Sequence, residues 1–422
     1  MISFWRIFSL EFTGFVRSKA LALLVVASVA WMLAAPYIFK GDGTASGARE
    51  LSLLYSLGGV VALLAVTLLA SATGAFARER AAKRLQLTLV RPVRAFTLAL
   101  AKTMALTAAG ALVLAVVAAV EAVRSDCSRP CRHVLSPVLP SPREEAREMY
   151  ASYMQDPQTP LMVKRARKSV VLRLLEQRAC DRYESVPTNS AGRWSFRIPA
   201  SLASRAPLAA QLRLTNMYEM RDDVAGDISF GAATGAVSNV TKALIEVPLL
   251  GSVADVMDCG ELVFRNRGKS AVMLRPRRDV HLLVPADAFG WNLLRTYLQL
   301  VSLLSLLVAF GVFLGAALGR PVALFVAVVL LLLSEMSPSV LQQYPDELEK
   351  DPVDAIGLFL TRAVVSFTHP VSSLQPLSAF SQDACVEVRD VARSIASNTI
   401  LLPLLLAAFS ALVIPRKTEN DR

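Results

Sequence analysis

Residues 296–335 read TYLQLVSLLSLLVAFGVFLGAALGRPVALFVAVVLLLLSE. The first 24 of them, Thr296 to Gly319, carry no charge and lie between Arg295 and Arg320. A helix rises about 1.5 Å per residue and the hydrocarbon core of a bilayer is about 30 Å thick, so ~20 apolar residues cross it. This stretch is long enough. Beyond Arg320 only 14 uncharged residues, Pro321 to Ser334, precede Glu335. They make about 21 Å of helix, short of a crossing by themselves. Whether the chain returns through the lipid here sets the parity of the whole protein. Five crossings put the two termini on opposite sides, six on the same side.

The other crossings are plain. Ala20 to Phe39 is 20 residues between Lys19 and Lys40, Leu51 to Ala77 is 27 between Glu50 and Arg78, and Ser394 to Pro415 is 22 between Arg393 and Arg416. Thr103 to Val120 gives 18 more, reaching back to Phe96 if Lys102 snorkels its ammonium to the interface. Lys and Arg beside spans stay cytoplasmic. With six spans, the short inside segments (1–19, 76–102, Arg320, 416–422) hold 14 Lys/Arg against 4 Asp/Glu, whereas 335–393 holds 4 against 9. The expected fold is therefore a polytopic α-helical membrane protein of six transmembrane helices. Three lie in 20–120, two in 296–336 joined by the tight cytoplasmic hairpin LGRP, and the sixth in 394–422 with a cytoplasmic tail. Residues 121–295 form an inserted extracytoplasmic domain, and 337–393 an outer loop.

Composition agrees. Of 422 residues 54% are hydrophobic and 19% charged, the mean hydropathy is +0.46, and the charges fall in blocks. That excludes a single water-soluble globule and a disordered chain. The net charge of +11 would suggest nucleic acid only if it lay on one soluble face. It flanks the spans instead, and in 121–295 the 25 Lys/Arg and 19 Asp/Glu are dispersed. Membrane lipid, not nucleic acid, is the expected partner of the charge. Residues 1–19 place Phe4, Phe8, Phe12 and Phe15 on one helical face with Trp5 at its edge, and Arg6 and Arg17 on another. That pattern predicts an uncleaved amphipathic elbow in the headgroup plane rather than a cleaved signal.

Within 121–295, SPREEAREMYASYMQ and LMVKRARKSVVLRLLEQRAC read as two helices. WSFRIP, AQLRLTNMY, ALIEVPLL, ELVFRNRG, AVMLR and VHLLVP read as strands between Gly, Asn, Pro and Asp breaks, giving an α+β domain with a β-sandwich-like part. All five cysteines fall in segments assigned outside, which suits an oxidising compartment. Cys127, Cys131, Cys180 and Cys259 allow three disulfide pairings, and Cys385 is either free or joined across. Cys127, Cys131 and His133 match no familiar zinc spacing, so no metal is expected. No HExxH, GxSxG or GxGxxG occurs, and the triplet Gly268-Lys269-Ser270 lacks the glycine of a phosphate loop, Val263 standing in its place. No catalytic constellation is present in the sequence.

Between spans two and three stands FARERAAKRLQLTLVRPVRAFTLALAK, with six Lys/Arg from Arg78 to Arg94 and one acid, Glu79. Leu85, Leu87, Leu89 and Val90 allow a short amphipathic helix under the membrane, ended by Arg91-Pro92. Here the chain resembles the membrane subunit of ABC transporters, specifically the type-2 export permease class. In that family a helix rich in Glu and Arg, a leucine-rich segment and a Pro-Val turn with Arg lead into the third span. Arg78, Glu79, Arg80, Leu85, Leu87, Pro92, Val93 and Arg94 occupy those places. The elbow, the six spans and the Arg320-Pro321 hairpin extend the resemblance over roughly 200 residues of the membrane part. The 175-residue insertion departs from typical members and resembles a bacterial subset with an extracytoplasmic domain there.

The resemblance implies a permease of an ATP-driven exporter in the bacterial plasma (inner) membrane, working as a dimer with a second copy or a paralogue. The chain itself would bind no cofactor and would not be an enzyme. ATP and magnesium would sit on a separate ABC ATPase subunit docked at 78–94, touched by Arg78, Arg80, Lys83, Arg84, Arg91 and Arg94, with Glu79 paired locally or with a basic residue across the contact. The alternative is a mechanotransducing or sensory protein that works its outer domain and transports nothing.

Overall fold

The computed structural model describes residues 2–39, 45–81, 94–124, 130–156, 168–180, 182, 184–198, 208–213, 215–216, 224–240, 244–250, 260–329 and 375–420. The chain divides into two compact units, one holding the long apolar helices and one built on Pro130–Asp287. In chain order the first helices are α1 (Ile2–Val16), α2 (Lys19–Ile38), α3 (Ala45–Ala81) and α4 (Ala95–Arg124). The inserted unit follows with β1 (Pro130–Leu135), α5 (Pro142–Gln155), α6 (Lys168–Cys180), β2 (Glu184–Val186), β3 (Ala191–Phe196), β4 (Leu208–Arg213) and β5 (Thr215–Asn216). It continues through β6 (Val224–Phe230), β7 (Ala233–Val240), β8 (Leu244–Leu249), β9 (Gly260–Asn266), β10 (Val272–Leu274), α7 (Pro276–Asp279) and β11 (Val280–Ala288). Then come α8 (Phe289–Ala317), α9 (Arg320–Val329), α10 (Gln375–Ser381) and α11 (Val388–Ser394). A π-helical segment (Ile395–Leu401) leads into α12 (Leu402–Asn420).

Among the described residues, five helices are long and apolar enough to cross a membrane: Leu21–Ile38, Glu50–Ala77, Ala95–Arg124, Phe289–Ala317 and Val388–Ile414. This is a multi-pass membrane architecture with an additional β-rich unit. The elbow breaks from the first span at Ser18, whose hydroxyl accepts the Leu21 N–H at 3.3 Å and caps α2. On α1 the rings of Phe4, Phe8 and Phe12 stack in succession, with centroids 6.4 and 5.8 Å apart.

Small residues set the spacing of the spans. A Cβ on Gly110 of α4 would stand 2.6 Å from Leu68, one on Gly311 of α8 would stand 2.8 Å from Ala72, and one on Gly315 would overlap the Thr73 carbonyl of α3. With lipid tails as apolar as leucine, such close backbone approach supplies the dispersion that holds helices together.

The relative directions of the helices follow from their partners. Asn292 of α8 donates to the Ala384 carbonyl (2.9 Å) and accepts from the Val386 N–H (2.8 Å). One span-third further along, Ser302 donates to the Ser394 carbonyl at 2.7 Å, and Leu306 and Ala309 share a core with Leu406. Residue numbers rise together, so α8 and the terminal helix run parallel. By contrast α9 follows α8 after only Leu318 and Gly319, and its Ala323 and Ala327 pack with Leu314, Leu307 and Leu69, back along α8. In the terminal helix the backbone widens, Leu402 N–H reaching the Ser397 carbonyl five residues back. That widening precedes Pro403, whose ring would otherwise clash with the carbonyl four residues before it.

In the inserted unit α5 and α6 are the two expected helices. Ser141 and Glu144 form a reciprocal capping box that starts α5, and the Ser141 hydroxyl and backbone N–H hold the Glu144 carboxyl below its ordinary range. The helices pack through Ala146, Val171 and Leu175. Three antiparallel sheets, ordered β1-β11-β4-β8, β2-β10-β5 and β3-β9-β6-β7, enclose one core that includes Trp194, Phe196, Phe230 and Phe264. Each expected strand is present, but β1, β2 and the β6–β7 hairpin were not foreseen. Its β7 is ATGAVSNV, too rich in Ala and Gly to show an apolar alternation, and its two-residue turn uses Gly231 at φ 59°. The helical ends also exceed the sequence bounds: α4 runs to Arg124 and α8 begins at Phe289, so the unit between them spans Pro130–Asp287 rather than 121–295.

Replacing Gly315 by Leu is expected to force α3 and α8 apart at a cost of about 2–3 kcal/mol, read as a lower midpoint in thermal unfolding in detergent. Gly319→Leu, which meets open space, is the control and leaves the midpoint unchanged.

Candidate functional site

Lys102 sits in the second turn of α4, among the buried Leu98, Ala99, Ala101 and Leu106. The apolar surroundings point its side chain into the helix bundle, and it is 1% exposed. An isolated ammonium there would cost several kcal/mol. Two carboxylates offset that cost. The Lys102 ammonium is bound to Glu11 of α1 and, at 2.7 Å, to Glu79 in the last turn of α3. It also lies 5.5 Å from the centre of the Phe76 ring, one helical turn before Glu79. The Lys102 ammonium thus ends on the acids of the elbow and of the end of α3.

Each acid is placed by its own helix. Glu11 lies four residues from both Ile7 and Phe15, which pack against the core of the helical unit, so the three share the inward face of α1. Glu79 follows Phe76, which is fully buried. The side chains of Glu11 and Glu79 are 28% and 25% exposed while that of Lys102 is 2% exposed, and the Glu79 oxygen that does not face Lys102 is itself buried without a hydrogen-bond partner. One ammonium thus ties three elements, the elbow, the end of α3 and the start of α4, with one negative charge left over.

Of the residues assigned to ATPase coupling, Arg78, Glu79 and Arg80 lie in the last turn of α3 rather than in a separate helix under the membrane. The span continues straight beyond its apolar window, which ends at Ala77. Glu79 is paired within the chain, with Lys102 of α4. Lys83, Arg84 and Arg91 lie outside the described residues, as do Leu85 and Pro92, and nothing is described of the side chains of Arg78 and Arg80. Arg94 is exposed just before α4, at the same end as Glu79. Arg320 is exposed at the start of α9, which begins at the end of α8 where Gly315 meets Thr73 of α3.

At the opposite end of α4 a second buried acid, Glu121, pairs with Arg124 at 3.1 Å, and Arg124 also donates to the Met32 carbonyl of α2 at 2.9 Å. Both ends of α4 are therefore fixed by charge.

The cysteines separate into two states. Cys131 and Cys385 are disulfide-bonded, so Cys385 is joined rather than free. Cys180, expected among the bridging candidates, is instead a free and exposed thiol at the end of α6. Cys127 and Cys259 lie outside the described residues. Among the described residues no three His, Cys, Asp or Glu gather as metal ligands. The Gly268-Lys269-Ser270 triplet is a turn stitched by the buried Asn266, whose amide donates to the Val186 and Ser270 carbonyls and accepts from the Gly268 N–H. His281 is held neutral by burial, its ring against the Arg278 carbonyl at 3.1 Å.

The sequence had flagged Glu79 but not its partners. The available signal was a matched pair of oddities: a single acid, Glu11, on an otherwise aromatic and basic elbow, and a single lysine inside an apolar run. Comparison with protein-family models, curated proteins and solved structures finds no match for this chain.

Lys102→Met is expected to leave two facing carboxylates and to cost about 2–3 kcal/mol, less than a fully buried pair would because both acids are partly exposed. Thermal unfolding in detergent measures it, and adding Glu11→Gln and Glu79→Gln to the methionine variant should recover much of the loss. A maleimide applied without reductant is expected to label Cys180 and spare Cys131 and Cys385, as peptide mapping would show.

Proposed function

We propose that this chain is the membrane-spanning permease subunit of an ATP-driven exporter of the ABC type, energised by a separate ATPase docked at the end where Arg78, Arg80, Arg94 and Arg320 gather. Six crossings are part of the proposal. The parallel run of α8 and the terminal helix in one core, with α9 turned back along α8, supports a further crossing between them. With six crossings both termini share the basic end, which the distribution of Lys and Arg assigns to the cytoplasm of a bacterial inner membrane.

The observation that carries the reading is the Glu11–Lys102–Glu79 tie. An ATPase dimer that closes on ATP does work on a permease only through something stiff. A loop hung between two independent helix ends would yield. Here the end of α3 is a direct continuation of a span, and one buried ammonium fastens it to α4 and to the elbow. A push at the segment 78–94 is therefore delivered to three elements together. Glu79 serves as an internal strut, leaving Arg78, Arg80, Lys83, Arg84, Arg91 and Arg94 for the acidic surface of the ATPase. The ATPase supplies nucleotide and magnesium chemistry, and a second copy or paralogue of this chain completes the pathway.

An ATP-binding subunit is expected to co-purify with the full chain from its native membrane. Reversal of charge at Arg78, Arg80 and Arg84 (Arg→Glu) should release it, with the thermal midpoint of the permease preserved. Retention of the ATPase by that triple variant would overturn the docking assignment. In intact cells, labelling of Cys180 by a membrane-impermeant maleimide, lost in Cys180→Ser, is the expected sidedness, and its protection would reverse the topology.

A further inference from the structure

The elbow helix α1 has three faces. Ile7, Glu11 and Phe15 turn inward. Phe8, Phe12, Trp5 and Val16 form an aromatic and apolar flank, with Trp5 61% and Val16 37% exposed. Arg6 and Arg17, joined by Lys19 at the start of α2, are exposed on the remaining side. Residues 1–19 contain three Lys/Arg and one acid, and that acid, Glu11, is turned inward onto Lys102. The charged side chains on the outward surface of the elbow are therefore all cationic, beside an apolar flank. A bilayer leaflet with anionic headgroups fits both: it offers acyl boundary to the rings and phosphate charge to the cations.

We infer that α1 is a lipid sensor, through which anionic headgroups of the adjoining leaflet set the position of the last turn of α3. The link is the shared ammonium. Glu11 couples the gripped helix to Lys102, and Lys102 holds Glu79, which lies in that turn with Arg78 and Arg80 on either side. A leaflet that fixes α1 thereby fixes the helix end from which the coupling segment departs. A leaflet without anionic lipid leaves α1 held by its inner face alone. The consequence for ATP-driven work rests on the exporter reading, but the lipid dependence does not, and the two are tested apart.

The experiment uses the full chain without any ATPase, reconstituted into vesicles of phosphatidylcholine alone or with about 30% phosphatidylglycerol, and follows amide hydrogen exchange. Each surface cation is worth roughly fivefold in affinity for an anionic leaflet, so exchange across residues 2–16 should slow by about fivefold or more when the anionic lipid is present. Exchange across residues 78–81 should slow with it. Replacing Arg6, Arg17 and Lys19 by Gln abolishes both effects. Glu11→Gln leaves Lys102 paired with Glu79, so the fold is kept. It retains the lipid effect at 2–16 and loses it at 78–81. Lys102→Arg, which preserves the charge, retains both. Lipid-independent exchange at 2–16 in the unaltered chain overturns the sensor, and a lipid effect at 78–81 that survives Glu11→Gln overturns the linkage.

Discussion

A single buried ammonium constrains the helical unit. Lys102 cannot leave its two carboxylates without stranding a charge in an apolar bundle, and Glu11 and Glu79 cannot both move away from it. In a bilayer, where apolar surface alone gives helices no reason to prefer one another, such a tie sets register as much as stability. The packing around it has the same character. Gly110, Gly311 and Gly315 bring backbones close enough to lock the helices at fixed heights, and the Glu121–Arg124 pair fastens the other end of α4 to α2. A bundle held at both ends of one helix transmits displacement instead of absorbing it.

The distribution of flexibility follows. Among the described parts of the terminal helix, the π-helical turn at Ile395–Leu401 is where the regular ladder is interrupted, and Pro403 accounts for it. The polar anchors to α8 lie at and before that turn, at Ala384, Val386 and Ser394, while the residues after it pack by apolar side chains. The terminal helix is thus held by hydrogen bonds at one end and by apolar packing at the other, where Ala407 and Ile414 are buried in the core.

Much of this was legible in the sequence, because bilayer thickness converts a count of uncharged residues into spans. The five long helices could be read that way, and the elbow, both helices of the inserted unit and the six expected strand segments from their apolar pattern. Besides the strands β1 and β2, three things could not. The β6–β7 hairpin is built from Ala, Gly, Ser and Thr, whose burial leaves no apolar period. The extension of α3 past Ala77 has charged residues that look like the start of a loop, although helical hydrogen bonding continues through them. The pairing of Lys102 could not be read either, because the sequence does not show that an acid 91 positions away lies beside it. Cys180 escaped for a related reason: spacing enumerates pairings but does not say which thiol is left over.

The account stands or falls on whether the elbow and the end of α3 move as one body. Spin labels at Thr13 and Arg80 of the same chain, reconstituted alone into vesicles, report that separation directly by pulsed electron resonance. The account predicts one narrow distance distribution in the unaltered chain, broadened by Lys102→Met. A broad distribution in the unaltered chain, or a narrow one that Lys102→Met leaves unchanged, would contradict it.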